Sequence, residues 1–256
     1  MEILVSVVMP AYRCAGTIAA SIESVLCQEV PLELIVVNDR SPDDLDAAMA
    51  PWLADERVVY VTNEENMGAA KSRNRAVAMA RGKYVAFLDS DDLWLPGKLA
   101  AQVAALEESG NVLCCTARML MTPEGEDTGR VLPVPREITY RDLLKHNCIA
   151  CSSVLMRTEA AREFPMDHED SHEDYILWLR VLEKYGPARG INEPMLRYRQ
   201  SNTGKSGSKL HSAKMTFMVY RYMGFSLPKS LMCFASYAFN GVWKYYLSRK
   251  GDGHEA

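Results

Sequence analysis

Residues 84–94 read YVAFLDSDDLW, a hydrophobic run that leads directly into a cluster of three carboxylates. The apolar residues from Val85 to Leu88 are typical of a strand that is buried in a parallel sheet. Asp89, Asp91 and Asp92 follow at the carboxyl end of this strand, which is where open α/β sheets bind ligands. Carboxylates this close disfavour each other's ionisation unless a hard cation such as Mg2+ or Mn2+ neutralises them. The stretch therefore predicts a divalent cation bound to a diphosphate, and an Asp-rich turn that caps the next helix is the structural alternative.

The composition is that of a soluble globular protein. The chain has 256 residues, of which 48% are hydrophobic, and its formal net charge is −4. This length allows one large domain, or a domain with an appendage. The mild acidity argues against a nucleic-acid partner, and the start of the chain lacks the basic segment of a cleavable signal peptide. Seven scattered cysteines predict reduced thiols in a cytoplasm.

Strands alternate with helices along the first half of the chain, which predicts βαβ units and a mostly parallel sheet. Pro10 is expected to stop the first strand, Thr17 to cap the first helix, and Gly82 to occupy the left-handed position after the third helix. Strands are expected at 3–9, 33–38, 58–62, 85–88 and 111–116, and helices after Thr17 and at 42–53, 69–81 and 96–108. Three strand ends, at 10–12, at Asp39 and at 89–92, should then meet at one edge of the sheet.

The second half of the chain is less regular. A polar connection at 123–136 is expected to border the site as a loop, and 149–157 is expected to form a strand or a strand with a turn. A helix at 175–185 follows, with Glu173 and Asp174 near its positive end and Gly186 at its end. A strand at 195–198 leads to a flexible polar loop at 201–209, from which Arg197, Arg199, Lys205 or Lys209 could meet a diphosphate.

Aromatic and basic residues alternate in the segment from 215 to 249. Its uncharged stretch, 231–242, is only about twelve residues long, whereas a helix needs about twenty to span a bilayer. The pattern predicts a pair of interfacial helices on an anionic membrane surface. The alternative is a helical appendage packed on the preceding α/β domain or on a second subunit.

Six motifs, found in order, resemble those of the family 2 glycosyltransferases, which are inverting enzymes of the GT-A fold. They are VSVVMPAYRC at 5–14, ELIVVNDRSPDD at 33–44, NMGAAKSRNRAV at 66–77, GKYVAFLDSDDLW at 82–94, CSSVLMR at 151–157 and HEDYILWLRVL at 172–182. The resemblance implies an α/β catalytic domain at 1–210, built on a mostly parallel Rossmann-like sheet flanked by helices. A helical, aromatic-rich extension is expected at 211–256.

The resemblance also implies roles for individual residues. Asp39 would hold the uracil of a uridine donor, Asp91 and Asp89 would bind Mn2+ or Mg2+, and Asp174 would be the general base. Asp91 would be the direct metal ligand and Asp89 would lie nearer the ribose or sugar. The residues expected to bind the nucleotide sugar are Pro10, Ala11, Tyr12, Asp39, Asn66, Gly68, Arg73, Asn74, Asp89, Ser90 and Asp91. Trp178 and His172 lie near the base in sequence, so each could touch the acceptor, although Trp178 also fits a core position.

The function implied is transfer of a sugar from a nucleotide-sugar donor to a hydroxyl of a glycan or lipid-linked acceptor. The donor would be a UDP-sugar, because Asp39 matches the family's uracil-binding carboxylate. Such an enzyme would build a cell-surface polysaccharide or lipopolysaccharide in the cytoplasm or at the inner face of the membrane. The sequence leaves a homo-oligomer open. The alternative is a catalytically silent GT-A module that tethers a glycan-assembly complex to the membrane. The costly carboxylates Asp39, Asp89, Asp91 and Asp174 favour the enzyme. A nucleotidyltransferase is disfavoured because MPAYRCAGT is not a glycine-rich, lysine-containing loop.

Overall fold

The first half of the chain forms a parallel sheet that brings the predicted strand ends side by side. The computed structural model describes residues 2–200 and 209–251, with side chains for 2–200 and 210–240. The first strands are β1 Val5–Ala11, β2 Leu32–Asn38, β3 Val58–Thr62 and β4 Tyr84–Phe87. In space they follow the order β3, β2, β1, β4, and each neighbouring pair is parallel. The carboxyl ends of β1, β2 and β4 are therefore adjacent, as the sequence predicts.

Helices connect these strands. They are α1 Ile18–Leu26, α2 Leu45–Met49 with a short 3-10 turn Ala50–Trp52, and α3 Ala69–Met79. Alternate residues of β1 pack on opposite faces of the sheet: Val8 lies in one apolar cluster with Val77 of α3, and Val7 lies in the other with Ile22 of α1. Both faces of the parallel sheet are thus covered, which explains why its strands are almost continuously apolar.

The second half of the sheet is mixed. Its elements are β5 Leu93–Trp94, α4 Lys98–Ser109, β6 Leu113–Met121, β7 Asp127–Leu132, β8 Glu137–Ile138, α5 Tyr140–Lys145, β9 Val154–Arg157, α6 Thr158–Glu163, α7 Glu173–Tyr185 and β10 Ala188–Arg199. Strand β9 runs antiparallel between β4 and β6, and β10 lies parallel to β6. The segment expected to be a loop at 123–136 contains β7, which pairs with β6. Every residue of β7 is at least partly exposed, so the polar composition of the segment is compatible with a strand.

Three local expectations from the sequence are wrong. Pro10 does not stop β1 but lies inside it, where it pairs with Val37 of β2. The pairing of β1 with β4 ends at Val8, so the missing N–H of Pro10 is tolerated on that side. Thr17 precedes α1, but its hydroxyl donates to the Ser90 carbonyl at 2.9 Å instead of capping the helix. Gly82 does not adopt a positive φ. A Cβ there would meet the Ser6 nitrogen at 2.7 Å, so close packing against β1 requires the glycine.

The C-terminal helices pack on the rest of the molecule. They are α8 Lys209–Tyr222 and α9 Leu227–Gly251. Val219 lies in the core cluster that contains α7, and the Tyr237 ring lies 6.3 Å from the Tyr175 ring. The boundary near 210 between a catalytic domain and an extension remains a prediction. Within the described ranges, no helix combines the length and the apolar character needed to cross a bilayer. The seven cysteines are free, as expected.

Candidate active site

A cavity of about 750 Å³ lies at the carboxyl ends of β1, β2 and β4. Of the eleven residues that the sequence nominates for donor binding, all except Asn74 line it: Pro10, Ala11, Tyr12, Asp39, Asn66, Gly68, Arg73, Asp89, Ser90 and Asp91. The Asn74 amide instead donates to the Met166 carbonyl and accepts from the Met166 N–H, both at 2.8 Å. Asn74 therefore braces the segment before α7 and does not face the cavity.

Tyr12 and Arg13 form the rim of the cavity after β1. Arg13 has φ of 53°, in the left-handed region that side chains other than glycine seldom adopt. The conformation is held because the Arg13 N–H donates to Ser41 Oγ at 2.7 Å and the Ala15 N–H donates to Asp43 at 2.8 Å. Tyr12 remains 42% exposed. A rigid backbone thus presents a largely accessible aromatic ring at the cavity mouth.

Asp39 organises the loop that leads into α3. It is only 2% exposed, and its carboxylate accepts hydrogen bonds from the Asn63 side chain at 2.7 Å and from the N–H groups of Met67 and Gly68, each at 2.8 Å. Gly68 needs to be glycine because its φ is +87° and a Cβ would clash with Glu169. Asp39 therefore fixes the start of α3 and remains part of the cavity wall.

The loop from Asp89 to Asp92 is held by three separate elements. The Asp89 N–H donates to Ser152 Oγ at 3.0 Å, and Ser21 of α1 donates to the Asp92 carbonyl at 2.9 Å. From β10, the Arg199 N–H donates to the Asp92 carboxylate at 2.8 Å, and the Arg199 guanidinium donates to the Asp91 carbonyl at the same distance. Burial and then the neighbouring Asp89 raise the pKa of Asp91 to about 6. The loop backbone is fixed, while the Asp91 carboxyl group faces the cavity.

Arg73 connects this loop to α7. Its guanidinium lies 2.5 Å from the Asp89 carboxylate and 3.3 Å from that of Glu173, and it is almost fully buried. Burial acts to lower the pKa of Arg73, but the two carboxylates outweigh this effect and raise it. Arg73 is thus a permanent cation between the cavity and the first turn of α7.

Asp174 does not line the cavity, but it lies in the first turn of α7 beside Glu173. Burial and then the negative charge of Glu173 raise the pKa of Asp174, and His172 and Arg73 oppose the shift. Burial raises the pKa of Cys151 and of Tyr198, and the charges of Asp89 and Asp174 add to both shifts, so these two residues lie near both carboxylates. Asp174 is therefore a carboxylate of increased basicity next to Glu173, the residue that pairs with Arg73.

Two residues near Asp174 differ in accessibility. Trp178 is fully buried, with its ring 5.8 Å from that of Phe87, so it belongs to the core and cannot touch an acceptor. His172 is partly exposed, and its Nε2 lies 3.4 Å from the Ser212 hydroxyl of α8. Residues 201–208 of the predicted polar loop, with Lys205, lie outside the described residues, as does the Lys209 side chain, and the backbone of Lys209 begins α8.

Sequence patterns singled out only part of the cavity. Arg199 lines it as expected, whereas Arg197 donates to Asp127 of β7 at 2.7 Å. Pro123 also lines the cavity, as expected for the segment 123–136. Further lining residues that were missed are Arg13, Cys14, Thr17, Ala69 and Gln200. Gln200 follows strand β10, so only its position after a strand could have indicated it.

The residues present fit a divalent cation that is shared with a diphosphate. Across residues 2–200 and 209–251, no three His, Cys, Asp or Glu side chains are placed to hold a metal by themselves. Mg2+ in phosphate-transfer sites is commonly held by one or two carboxylates together with substrate oxygens. Asp91 meets that description because it is an oxygen donor on the cavity wall, and its raised pKa shows that the protein leaves its charge poorly compensated.

The family profile described as Glycosyl transferase family 2 matches residues 6–164. The chain is 37% identical over 94% of its length to TuaG of Bacillus subtilis, named as a teichuronic acid biosynthesis glycosyltransferase, and covers 97% of that protein. It is 33% identical to WfaP of Escherichia coli, a UDP-Glc:alpha-D-GlcNAc-diphosphoundecaprenol beta-1,3-glucosyltransferase, with 96% of each chain covered.

Among solved structures, S. aureus TarS 1-349 in complex with UDP-GlcNAc superposes with a TM-score of 0.72 at 18% identity, over 92% of this chain and 72% of TarS. A mannosyltransferase from Pyrobaculum calidifontis, in complex with GDP-Man and Mn2+, gives a TM-score of 0.66 at 19% identity, over 92% of this chain and 69% of that one. The GT-A fold is therefore confirmed. The chain belongs to glycosyltransferase family 2.

Proposed function

We propose that this glycosyltransferase moves a sugar from a UDP-sugar to a hydroxyl group of a glycan or lipid-linked saccharide, with inversion at the anomeric carbon, in the synthesis of a surface polysaccharide. The observation that supports this most is that one cavity contains Asp39, Asp89 and Asp91, while the buried Arg73 links Asp89 to Glu173, the neighbour of Asp174. The cavity residues would hold the nucleotide sugar, and the acceptor would approach Asp174.

The donor half of the cavity is suited to a nucleoside diphosphate. Tyr12 offers an aromatic face at the rim, and Asp39 offers carboxylate oxygens that accept hydrogen bonds from N–H groups, as the N3–H of uracil would require. Arg199 supplies a positive charge near Asp91, where a diphosphate would place its negative charge. These features support a uridine donor, and the nucleotide titration below tests the choice.

Asp91, with Asp89 nearby, would hold the divalent cation. When bound, the cation supplies electrostatic stabilisation to the negative charge that develops on the leaving diphosphate. Asp89 has its own counter-ion in Arg73, so Asp91 is the carboxylate with more need of a cation. Arg73 holds Asp89 in place and keeps its charge compensated whether or not a donor is present.

Asp174 would act as the general base. The acceptor oxygen forms a bond to the anomeric carbon while the bond from that carbon to the β-phosphate oxygen breaks, and the acceptor proton passes to the Asp174 carboxylate. A raised pKa makes this carboxylate a better proton acceptor than an ordinary aspartate. The leaving group departs as nucleoside diphosphate, so no covalent intermediate with the protein is needed.

The acceptor class rests on the relatives. TuaG is named for teichuronic acid biosynthesis, and WfaP is named for transfer to a saccharide on diphosphoundecaprenol. Both covered fractions exceed nine-tenths, so the similarity includes the second half of the chain as well as the donor half. A saccharide that is linked to a lipid diphosphate is therefore the acceptor that we propose.

The first test is calorimetric titration of the full-length protein with UDP, GDP and CDP, each with and without Mn2+. We expect UDP to bind most tightly and Mn2+ to increase its affinity. A preference for GDP or CDP would contradict the uridine assignment, but the cavity would still be the proposed nucleotide site. Failure of all three nucleotides to bind would instead favour the silent tethering module.

A further inference from the structure

The helical hairpin α8–α9 exposes an apolar surface that its neighbours leave uncovered. Leu227, Leu231, Met232 and Phe239 of α9 have exposed fractions of 55%, 53%, 71% and 67%. At about 100° per residue, Leu231, Met232 and Phe239 fall within about 100° of one another around α9, so they form one stripe of the helix, with Leu227 at its edge. Other large exposed apolar side chains, such as Leu53 and Val131, are scattered singly over the catalytic domain.

The opposite side of α9 is packed against the protein. Ser230 is fully buried, the Phe234 ring lies 6.0 Å from that of Phe217 of α8, and the Tyr237 ring lies 6.0 Å from that of His146. The helix therefore has a fixed orientation, and the apolar stripe faces outward. We call the surface formed by Leu227, Leu231, Met232 and Phe239 the hairpin face.

The charge of the hairpin is the reverse of the charge of the rest of the chain. Between Lys209 and Gly251 the sequence contains seven lysines and arginines and no aspartate or glutamate, although the whole chain has a net charge of −4. Lys214, Arg221 and Lys229 are exposed on α8 and at the start of α9. Apolar side chains interspersed with basic ones, without any acidic residue, are typical of helices that lie in the interface of an anionic bilayer.

We propose that the hairpin face docks the protein on a membrane that contains anionic lipids. The apolar stripe would enter the boundary between head groups and acyl chains, while the basic side chains would contact lipid phosphates. An association of two copies through this face would bring two positively charged hairpins together, and the resulting repulsion disfavours a second copy of this chain as the occupant. The same lipid surface would repel the acidic remainder of the chain, and this repulsion would favour one orientation of the protein on the membrane.

The docked hairpin is in direct contact with the segment that precedes Asp174. The Tyr222 ring stacks on the His168 ring at 3.7 Å, and the Tyr222 hydroxyl donates to Asp170 at 2.6 Å. Ser212 lies 3.4 Å from His172. If Asp174 is the base, as the proposed function holds, docking through the hairpin face also places the base near the surface from which a lipid-linked acceptor would come.

The test is sedimentation of the full chain with vesicles of phosphatidylcholine alone or of phosphatidylcholine with phosphatidylglycerol. We expect strong binding to the anionic vesicles, weaker binding to the neutral ones, and a loss of binding as salt is raised. The double variant Leu231→Gln/Met232→Gln should bind anionic vesicles about tenfold more weakly, because it removes two apolar anchors from the stripe. The matched control is Leu53→Gln/Val131→Gln, which changes two exposed apolar residues elsewhere and should bind as the wild type does.

Thermal melts monitored by circular dichroism establish that each variant is folded, without reference to nucleotide binding. The vesicle-binding test therefore remains valid even if the protein does not bind nucleotides as proposed. The proposal is overturned if the wild type does not bind anionic vesicles, or if the double variant binds them as well as the control. It is equally overturned if the wild type forms a concentration-dependent dimer that the double variant loses and neither protein binds vesicles, since the occupant would then be a second copy.

Discussion

The donor cavity and the first turn of α7, which holds Asp174, are the two sides of the candidate site, and they are built in different ways. On the donor side, Asp39 and the loop from Asp89 to Asp92 follow β2 and β4, the two strands that flank β1, and hydrogen bonds that involve backbone groups fix them. On the other side, Asp174 stands in the first turn of α7, and aromatic and polar contacts from α8 brace the segment before it. Strand order brings the donor carboxylates to one edge of the sheet, where Ser152 and Arg199 hold their loop, whereas Asp174 is carried by a helix that no strand order places.

The largest expected effect separates the two sides by function. Asp174→Asn should lower turnover by about a hundredfold or more, because it removes the proposed general base. UDP affinity should stay within about twofold of the wild-type value, since Asp174 does not line the donor cavity. Steady-state kinetics and calorimetry measure the two quantities. The control is Asp44→Asn, an exposed aspartate before α2. An equal loss of donor affinity would contradict the division between the two sides.

Asp91→Asn tests the donor side in the opposite sense. We expect Mn2+ to increase UDP affinity in the wild type by about tenfold and to have little effect in the variant, because the amide is a poor ligand for a hard cation. Because the pKa of Asp91 is raised to about 6, protons should compete with Mn2+ as the pH falls from 7 to 5. UDP itself titrates in this range, so the difference between wild type and variant isolates the carboxyl group. A pH-independent difference would refute the assignment.

Glu173→Gln examines the link between the two sides. The pKa of Asp174 should fall, because the negative charge of Glu173 is one of the causes that raise it. The acidic limb of the kcat profile should therefore move to lower pH, and turnover at neutral pH should drop several-fold because the base is weaker. The exposed Glu193→Gln serves as the control. An unchanged limb, or a shift to higher pH, would show that Glu173 does not act on the base.

The smallest expected effect concerns the brace formed by α8. Tyr222→Leu removes both the stack on His168 and the hydrogen bond to Asp170, and Tyr222→Phe removes only the hydrogen bond. We expect turnover to fall about threefold in Tyr222→Leu and less in Tyr222→Phe, with UDP affinity unchanged in both. Equal turnover in wild type and Tyr222→Leu would show that the segment before Asp174 does not need α8.

The contrast also explains which features could be predicted from the sequence. Strand β3 and the cavity wall from Asp89 to Asp91 follow from apolar runs and from the rule that ligands bind at strand ends. The hydroxyl of Thr17, by contrast, donates a hydrogen bond to the carbonyl of Ser90, which is 73 residues away in the sequence. A local capping pattern contains no information about such a partner. Gly82 is required because β1 passes close to it, and the Asn74 side chain donates a hydrogen bond to the Met166 carbonyl. Neither partner could be read from the local sequence.

The bracing of the Asp174 segment by α8 has a consequence for the order of synthesis. A chain leaves the ribosome from its N-terminus, and its early segments can fold before later ones exist. Residues 5–92, which contain Asp39, Asp89 and Asp91, emerge first, whereas Arg199, which holds the loop from Asp89 to Asp92, and Tyr222, which stacks on His168, emerge near the end. A nascent chain would therefore contain the carboxylates of the donor cavity long before the groups that hold them in place. The donor cavity and the support of the proposed base would be completed at nearly the same time, late in translation.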